Sequence, residues 1–122
     1  MAAEKNFENK IKNFLEERNC WFLKYWGGAA YTKSGIPDLL VCCNGRFLGV
    51  EVKAEKGKPS ALQLYNLKKI DESGGYGILL YPNHFTLFQN FIDCLIANDF
   101  KNAEFNYKLL KERWWTDDCI TQ

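Results

Sequence analysis

The sequence predicts a mixed α/β fold, a sheet with helices packed against it in the order α-β-β-β-α-β, followed by further helices. Three observations predict it: an amphipathic helical period at the start of the chain, an Asn-Gly hairpin signal between two apolar runs, and a capping-box pattern that opens a second helix. At 122 residues the chain has room for one core, so residues 1–122 read as a single domain, with a core over about 4–82 and a helical addition over about 89–115.

The first helix covers roughly 3–19, because Phe7, Ile11, Phe14 and Leu15 fall at i, i+4, i+7 and i+8 with charges elsewhere. WFLKYW (21–26) is an aromatic strand expected to contribute to the core. GGAAYTKSG (27–35), rich in glycine and small residues, is a loop. The hairpin DLLVCCNGRFLGVEVK (38–53) turns at Asn44-Gly45, where a type I′ turn needs positive φ at both central positions. KAEKGKP (53–59) is a basic loop, and Ser60-Ala-Leu-Gln63 opens a helix that stops at Gly74-Gly75. YGILLY (76–81) is a buried strand ended by Pro82. FTLF (85–88) is equally compatible with a strand and a turn of helix, and helices are expected over 89–98 and 103–115.

Sixteen basic residues against fifteen acidic ones exclude a binder that works through bulk positive charge, so any nucleic-acid affinity must come from a local patch. Five cysteines without a C-x-x-C pair, and a single histidine, do not make a zinc site; they are expected to be reduced core residues. The N-terminal stretch has no apolar signal core and no run is long enough for a membrane span, which makes the cytoplasm of a bacterial or phage-infected cell the expected location.

The hairpin register carries the chemistry. With Asn44-Gly45 as the loop, Cys43 pairs with Arg46, and the same register sets Asp38 opposite Glu51, with Lys53 on the same face. Leu39, Val41, Cys43, Leu48, Val50 and Val52 form the other, packed face. Two opposed carboxylates repel, and a hard divalent cation such as Mg²⁺ or Mn²⁺ removes the conflict, with Asp38, Glu51 and the carbonyl of Val52 as ligands. The competing reading is a solvated surface pair of Glu51 and Lys53.

Pro37-Asp38 followed by Glu51-Val52-Lys53 resembles the signature of the PD-(D/E)xK nuclease superfamily. The wider SGIPDLL, GRFLGVEVK and GKPSALQ stretches resemble its VRR-NUC (virus-type replication-repair nuclease) branch, over roughly residues 4–82. The resemblance implies a restriction-endonuclease-like αβββαβ core and catalytic residues Asp38, Glu51 and Lys53. It also implies a first-helix glutamate, matched best by Glu8 with Glu4 as the alternative, and a functional Gln63, whose competing role is the helix cap. Lys33 and Ser34 are candidate phosphate contacts, joined by Lys56, Lys58 and Arg46 in a local basic track. The implied activity is metal-dependent hydrolysis of DNA, branched or otherwise structured, in replication, repair or recombination, by a homodimer. The C-terminal helices and Trp114–Trp115 are the candidate dimer surface, with packing of the last helix as the competing reading of the two tryptophans, and the Trp21–Trp26 and Trp114–Trp115 clusters are also compatible with stacking on unpaired bases. The alternatives are a non-catalytic nucleic-acid-binding module of the same fold and an RNA-cleaving site.

Overall fold

The computed structural model describes residues 2–27 and 33–115. Helix α1 (Ala2–Glu17) is followed by strands β1 (Trp21–Lys24), β2 (Leu39–Cys43) and β3 (Arg46–Val52), helix α2 (Ala61–Glu72), strand β4 (Tyr76–Leu80), and helices α3 (Phe85–Ile96) and α4 (Phe100–Glu112). The strands lie in chain order in one sheet. The β1–β2 and β2–β3 pairs are antiparallel, whereas β4 joins β3 in parallel through the α2 crossover. This is the mixed sheet flanked by helices that the sequence predicts. Among the described residues no helix is long and apolar enough to cross a membrane.

Local chemistry sets the elements that frame the site. Asn44 and Gly45 adopt φ of 49° and 78°, and the register runs from Cys43↔Arg46 to Leu39↔Val50 as the turn demands. Asn44 Nδ2 also donates to the carbonyl of Leu95 at 2.7 Å, which docks the turn on the end of α3. At α2, Ser60 Oγ accepts the Gln63 N–H at 3.1 Å and Gln63 Oε1 accepts the Ser60 N–H at 2.9 Å, a complete capping box.

Leu39, Val41, Cys43, Leu48, Val50 and Val52 are all buried, and they meet Ile11, Phe14 and Leu15 of α1 and Phe88, Phe91 and Ile92 of α3 in the main core. On the other face α2 lies over β3 and β4, so that side of the hairpin is open only along β1 and β2. A second, smaller core joins Leu67, Leu79 and Tyr81 to Trp114, which is 5 % exposed. Trp114 is therefore interior packing of this chain and not a dimer surface.

Three other expectations are corrected. The two C-terminal helices start earlier than expected, α3 at Phe85 and α4 at Phe100 rather than at 89 and 103: FTLF takes the helical of its two readings, because Phe85, Phe88, Phe91, Ile92 and Leu95 continue one helical stripe. Trp21 is 62 % exposed, since among the described residues no helix lies over the outer face of the edge strand β1, and Trp26, just past the end of β1, is 68 % exposed. Cys42 is exposed while Cys43 is buried, because neighbouring strand residues face opposite ways; the four described cysteines are free thiols.

The opposite edge, β4, is covered. Tyr107 of α4 accepts the Gly77 N–H at 3.1 Å and donates its own hydroxyl hydrogen to Asp71 Oδ1 at 2.7 Å. Gly77 also lets α2 approach the sheet: a Cβ there would lie 2.2 Å from the Leu67 carbonyl oxygen and 2.9 Å from Leu67 Cα. Backbone cannot yield as a side-chain tip can. Gly77→Ala is expected to destabilise the fold by about 3 kcal/mol, the upper end of overpacking costs. Urea unfolding measures it, and a change below roughly 1 kcal/mol would show that α2 can move off β4 freely.

Candidate active site

The site forms where the C-terminal ends of β1 and β3 meet the start of β2. Asp38 stands one residue before β2; its carbonyl accepts the Tyr25 N–H at 2.8 Å, so the backbone still follows the β1–β2 register. Its carboxylate turns toward β3 and accepts the Val52 N–H at 2.8 Å. Asp38 is thus not a ladder residue opposite Glu51, and a side-chain bond to the next residue of β3 fixes it instead.

That bond also orients the Val52 carbonyl. The Lys53 N–H donates to the Leu80 carbonyl on β4 at 3.0 Å. Across a trans peptide the preceding C=O points the opposite way, so the Val52 oxygen faces away from β4, on the side of Asp38.

Glu51 is 2 % exposed, because α2 covers this part of β3; it does not lie on an open face as the hairpin pattern alone suggests. Lys53 Nζ approaches Glu51 Oε2 at 3.1 Å, while Glu51 Oε1 is buried without a hydrogen-bond partner. Burial pushes the Glu51 carboxyl up to about 7, and the charge on Asp38 adds to the shift while Lys53 opposes it. A buried carboxyl with an orphan oxygen, beside a second acid, is an arrangement that a cation relieves. The solvated-pair reading of Glu51 and Lys53 does not fit this burial.

Glu8 is the first-helix acid that reaches the site. It is 4 % exposed, with Lys24 Nζ 2.6 Å from its Oε1 and Lys12 Nζ 3.2 Å from its Oε2. Glu4, one turn earlier, is only half-buried. Burial raises the Glu8 carboxyl, but hydrogen bonds and charge from Lys24 and Lys12 outweigh it and leave the group below its ordinary value. Lys24 also lies 3.4 Å from Asp38 Oδ1, so one ammonium bridges the α1 acid and the acid just ahead of β2. Burial opposes its charge, yet Glu8 and Asp38 hold its pKa above the ordinary lysine value.

Lys24 is the residue that the sequence reading missed. The available signal was a single cation in an aromatic strand, on the face that also carries Phe22; a charge placed there needs a buried acid for a partner.

Beside Asp38 lies a polar cavity of about 270 Å³, lined by Tyr25, Gly27, Lys33, Ser34, Gly35, Ile36, Asp38 and Gln63. The structure thus gathers Lys33, Ser34 and Gln63 next to the acid, although the side chain of Gln63 is also committed to capping α2. Lys56 and Lys58 are exposed on the loop that follows Lys53. Arg46 does not belong to this track: it sits at the hairpin turn, the far end of β3 from Glu51, with its guanidinium 3.9 Å from the Phe100 ring centroid.

Among the described residues, no three acidic, histidine or cysteine side chains gather into a ready-made cation cluster. The donor set that fits a hard divalent ion is smaller: Asp38 and Glu51 with the Val52 carbonyl. It suits an ion that keeps several waters.

No curated protein and no solved structure matches the chain. Residues 2–72, from α1 through α2, match the archaeal Holliday junction resolvase (Hjc) family, and every candidate residue named above lies within that stretch. Hjc is a family of the PD-(D/E)xK nuclease type, so the match supports the superfamily that the motifs resemble, though not its VRR-NUC branch in particular. With more than half of its length inside the match, and with the mixed, helix-flanked sheet that such nucleases share, the chain belongs to the archaeal Holliday junction resolvase family.

Proposed function

We propose that the protein is a divalent-metal-dependent endonuclease that cuts branched DNA, four-way junctions above all. The observation that carries this reading is the buried Glu51 carboxyl with an orphan oxygen beside Asp38 and Lys53, in a chain whose family is that of a structure-selective DNA nuclease. The VRR-NUC likeness of the GKPSALQ stretch remains a motif likeness within the same superfamily.

Asp38, Glu51 and the Val52 carbonyl would hold Mg²⁺ or Mn²⁺. When bound, such an ion supplies Lewis-acid stabilisation of the phosphate oxygens and a water of lowered pKa. The protein's own residues do the rest. Lys53 places a positive charge next to Glu51, where negative charge develops as water attacks the phosphorus in line. Lys33 and Ser34 hold a neighbouring phosphate in the polar cavity, and Lys56 and Lys58 extend the track along the backbone. Glu8 and Lys24 keep Asp38 in place through the ammonium they share with it.

One such site cuts one strand, and a two-fold dimer sets two sites on two strands. We infer a homodimer through the outer face of β1 and β2 and the start of β3. Trp21, Leu23 and Phe47 are exposed there, and beside them Ile36, Pro37, Leu40 and Ile70 line a depression of about 390 Å³. The double variant Leu23→Glu/Phe47→Glu is expected to sediment as a monomer and to leave single nicks where the wild type makes paired cuts. Sedimentation at the wild-type mass would remove this face from consideration.

The activity is tested by incubating the protein with four-way junction, flap, nicked, linear and single-stranded DNA, and with RNA, under Mg²⁺, Mn²⁺ or chelator. Junction cleavage that chelator abolishes supports the proposal. Binding without cleavage in every metal points to the non-catalytic module, and cleavage confined to RNA to the alternative substrate.

A further inference from the structure

Trp26 is the most exposed of the large apolar side chains that the structure describes, at 68 %. It stands just past the end of β1, and two cations flank its ring: Lys24 Nζ at 5.4 Å from the centroid and Lys5 Nζ at 5.6 Å. Lys24 is the same ammonium that contacts Glu8 and Asp38, so a single lysine separates the indole from the acid of the candidate site. Its chain neighbours, Tyr25 and Gly27, line the polar cavity that holds Lys33 and Ser34.

The inferred dimer face does not account for this exposure. Trp21 and Leu23 point to the outer face of β1, whereas Lys24 points to the α1 side. Trp26, with its ring against Lys24 of β1 and Lys5 of α1, belongs to that second side. Among the described residues no helix covers it there, and the exposed Lys5 ammonium at its ring attracts phosphate rather than apolar protein surface.

We propose that Trp26 stacks on an unpaired or unstacked nucleobase next to the scissile phosphate, and so gives the site its preference for branch points over continuous duplex. The inference rests on the DNA-nuclease reading above. Inside a regular duplex both faces of every base are covered by neighbours, while a four-way junction opened at its branch point leaves the terminal pair of each arm with an uncovered face. An indole offers the largest aromatic face for it, and every base has one, so the contact selects structure without selecting sequence. Lys5, whose side chain is exposed on α1, offsets the charge of a phosphate beside the stacked base, while Lys24 stays paired with Glu8 and Asp38 under the ring.

The test uses the full chain in Ca²⁺, with a four-way junction carrying 2-aminopurine at each position flanking the branch point and a linear duplex of the same sequence. With wild type and Trp26→Phe, quenching is expected at one flanking position; with Trp26→Ala it is absent. The ratio of junction to duplex affinity is expected to fall roughly ten- to hundredfold in Trp26→Ala, the range of one base–aromatic stack, and to recover largely in Trp26→Phe. An unchanged ratio in Trp26→Ala overturns the proposal, as does an equal loss on both substrates or a change in sedimenting mass. If the wild type neither binds nor cuts the junction, the nuclease reading fails and this inference with it; if the wild type cuts and the ratio is unchanged, only the inference fails.

Discussion

Asp38→Asn is expected to reduce metal-dependent cleavage of a four-way junction at least a thousandfold while leaving the fold intact. Asparagine keeps a side-chain oxygen that can accept the Val52 N–H, so the hydrogen bond that seats the residue at β3 is preserved. What it loses is the negative charge, and with it half of the carboxylate pair that makes this end of the sheet attractive to a divalent cation. A thousandfold loss corresponds to about 4 kcal/mol of transition-state stabilisation, which is what removing a ligand charge at a metal-assisted phosphate site costs. Single-turnover cleavage in Mg²⁺ and Mn²⁺, with circular dichroism as the fold control, measures it. A variant that keeps a tenth of wild-type activity would remove Asp38 from the site.

Glu51→Gln should make the metal-free protein more stable and the enzyme inactive. In the folded chain the Glu51 carboxyl titrates near 7, chiefly because it is buried, against an ordinary value of 4.5. Between those two values the folded state holds the proton more tightly than the unfolded state does, so stability from this group is full below about 4.5 and declines as pH rises toward 7. Above 7 the buried charge costs on the order of 3 kcal/mol, and glutamine does not incur it. Thermal unfolding in chelator at pH 8 should therefore give the variant a Tm higher by roughly 10 °C, with the gap closing toward pH 4.5. Parallel pH curves for the two proteins would show that Glu51 is not strained by its burial. Adding Mn²⁺ at pH 8 should raise the Tm of the wild type and not that of the variant, because only the wild type gains from binding. Stability lost at a functional site and regained by disabling it is a familiar trade.

The sequence by itself determined whatever short-range chemistry decides. The Asn44-Gly45 turn sets the β2–β3 register because its dihedral angles admit one hairpin, and that register brings the Asp38 end of β2 to Glu51. Ser60 and Gln63 start α2 through bonds that span three residues. The alternating apolar residues of β2 and β3 name their own buried face.

The tertiary structure decided what covers what, because that depends on elements far apart in the chain. FTLF is a helix since the stripe it begins continues through Leu95 onto the sheet. Trp114 is interior because α2 and β4 offer it Leu67 and Leu79, whereas Trp21 is exposed because among the described residues no helix lies over the outer face of the edge strand β1. Lys24 joins Glu8 to Asp38 only once α1 has packed beside β1. Glu51 is buried, and so acquires its raised pKa, only because α2 crosses over β3 on the way to β4. Two acids at the end of a hairpin are legible in the chain; the low-dielectric setting that raises the pKa of Glu51 comes from a helix packed across its face.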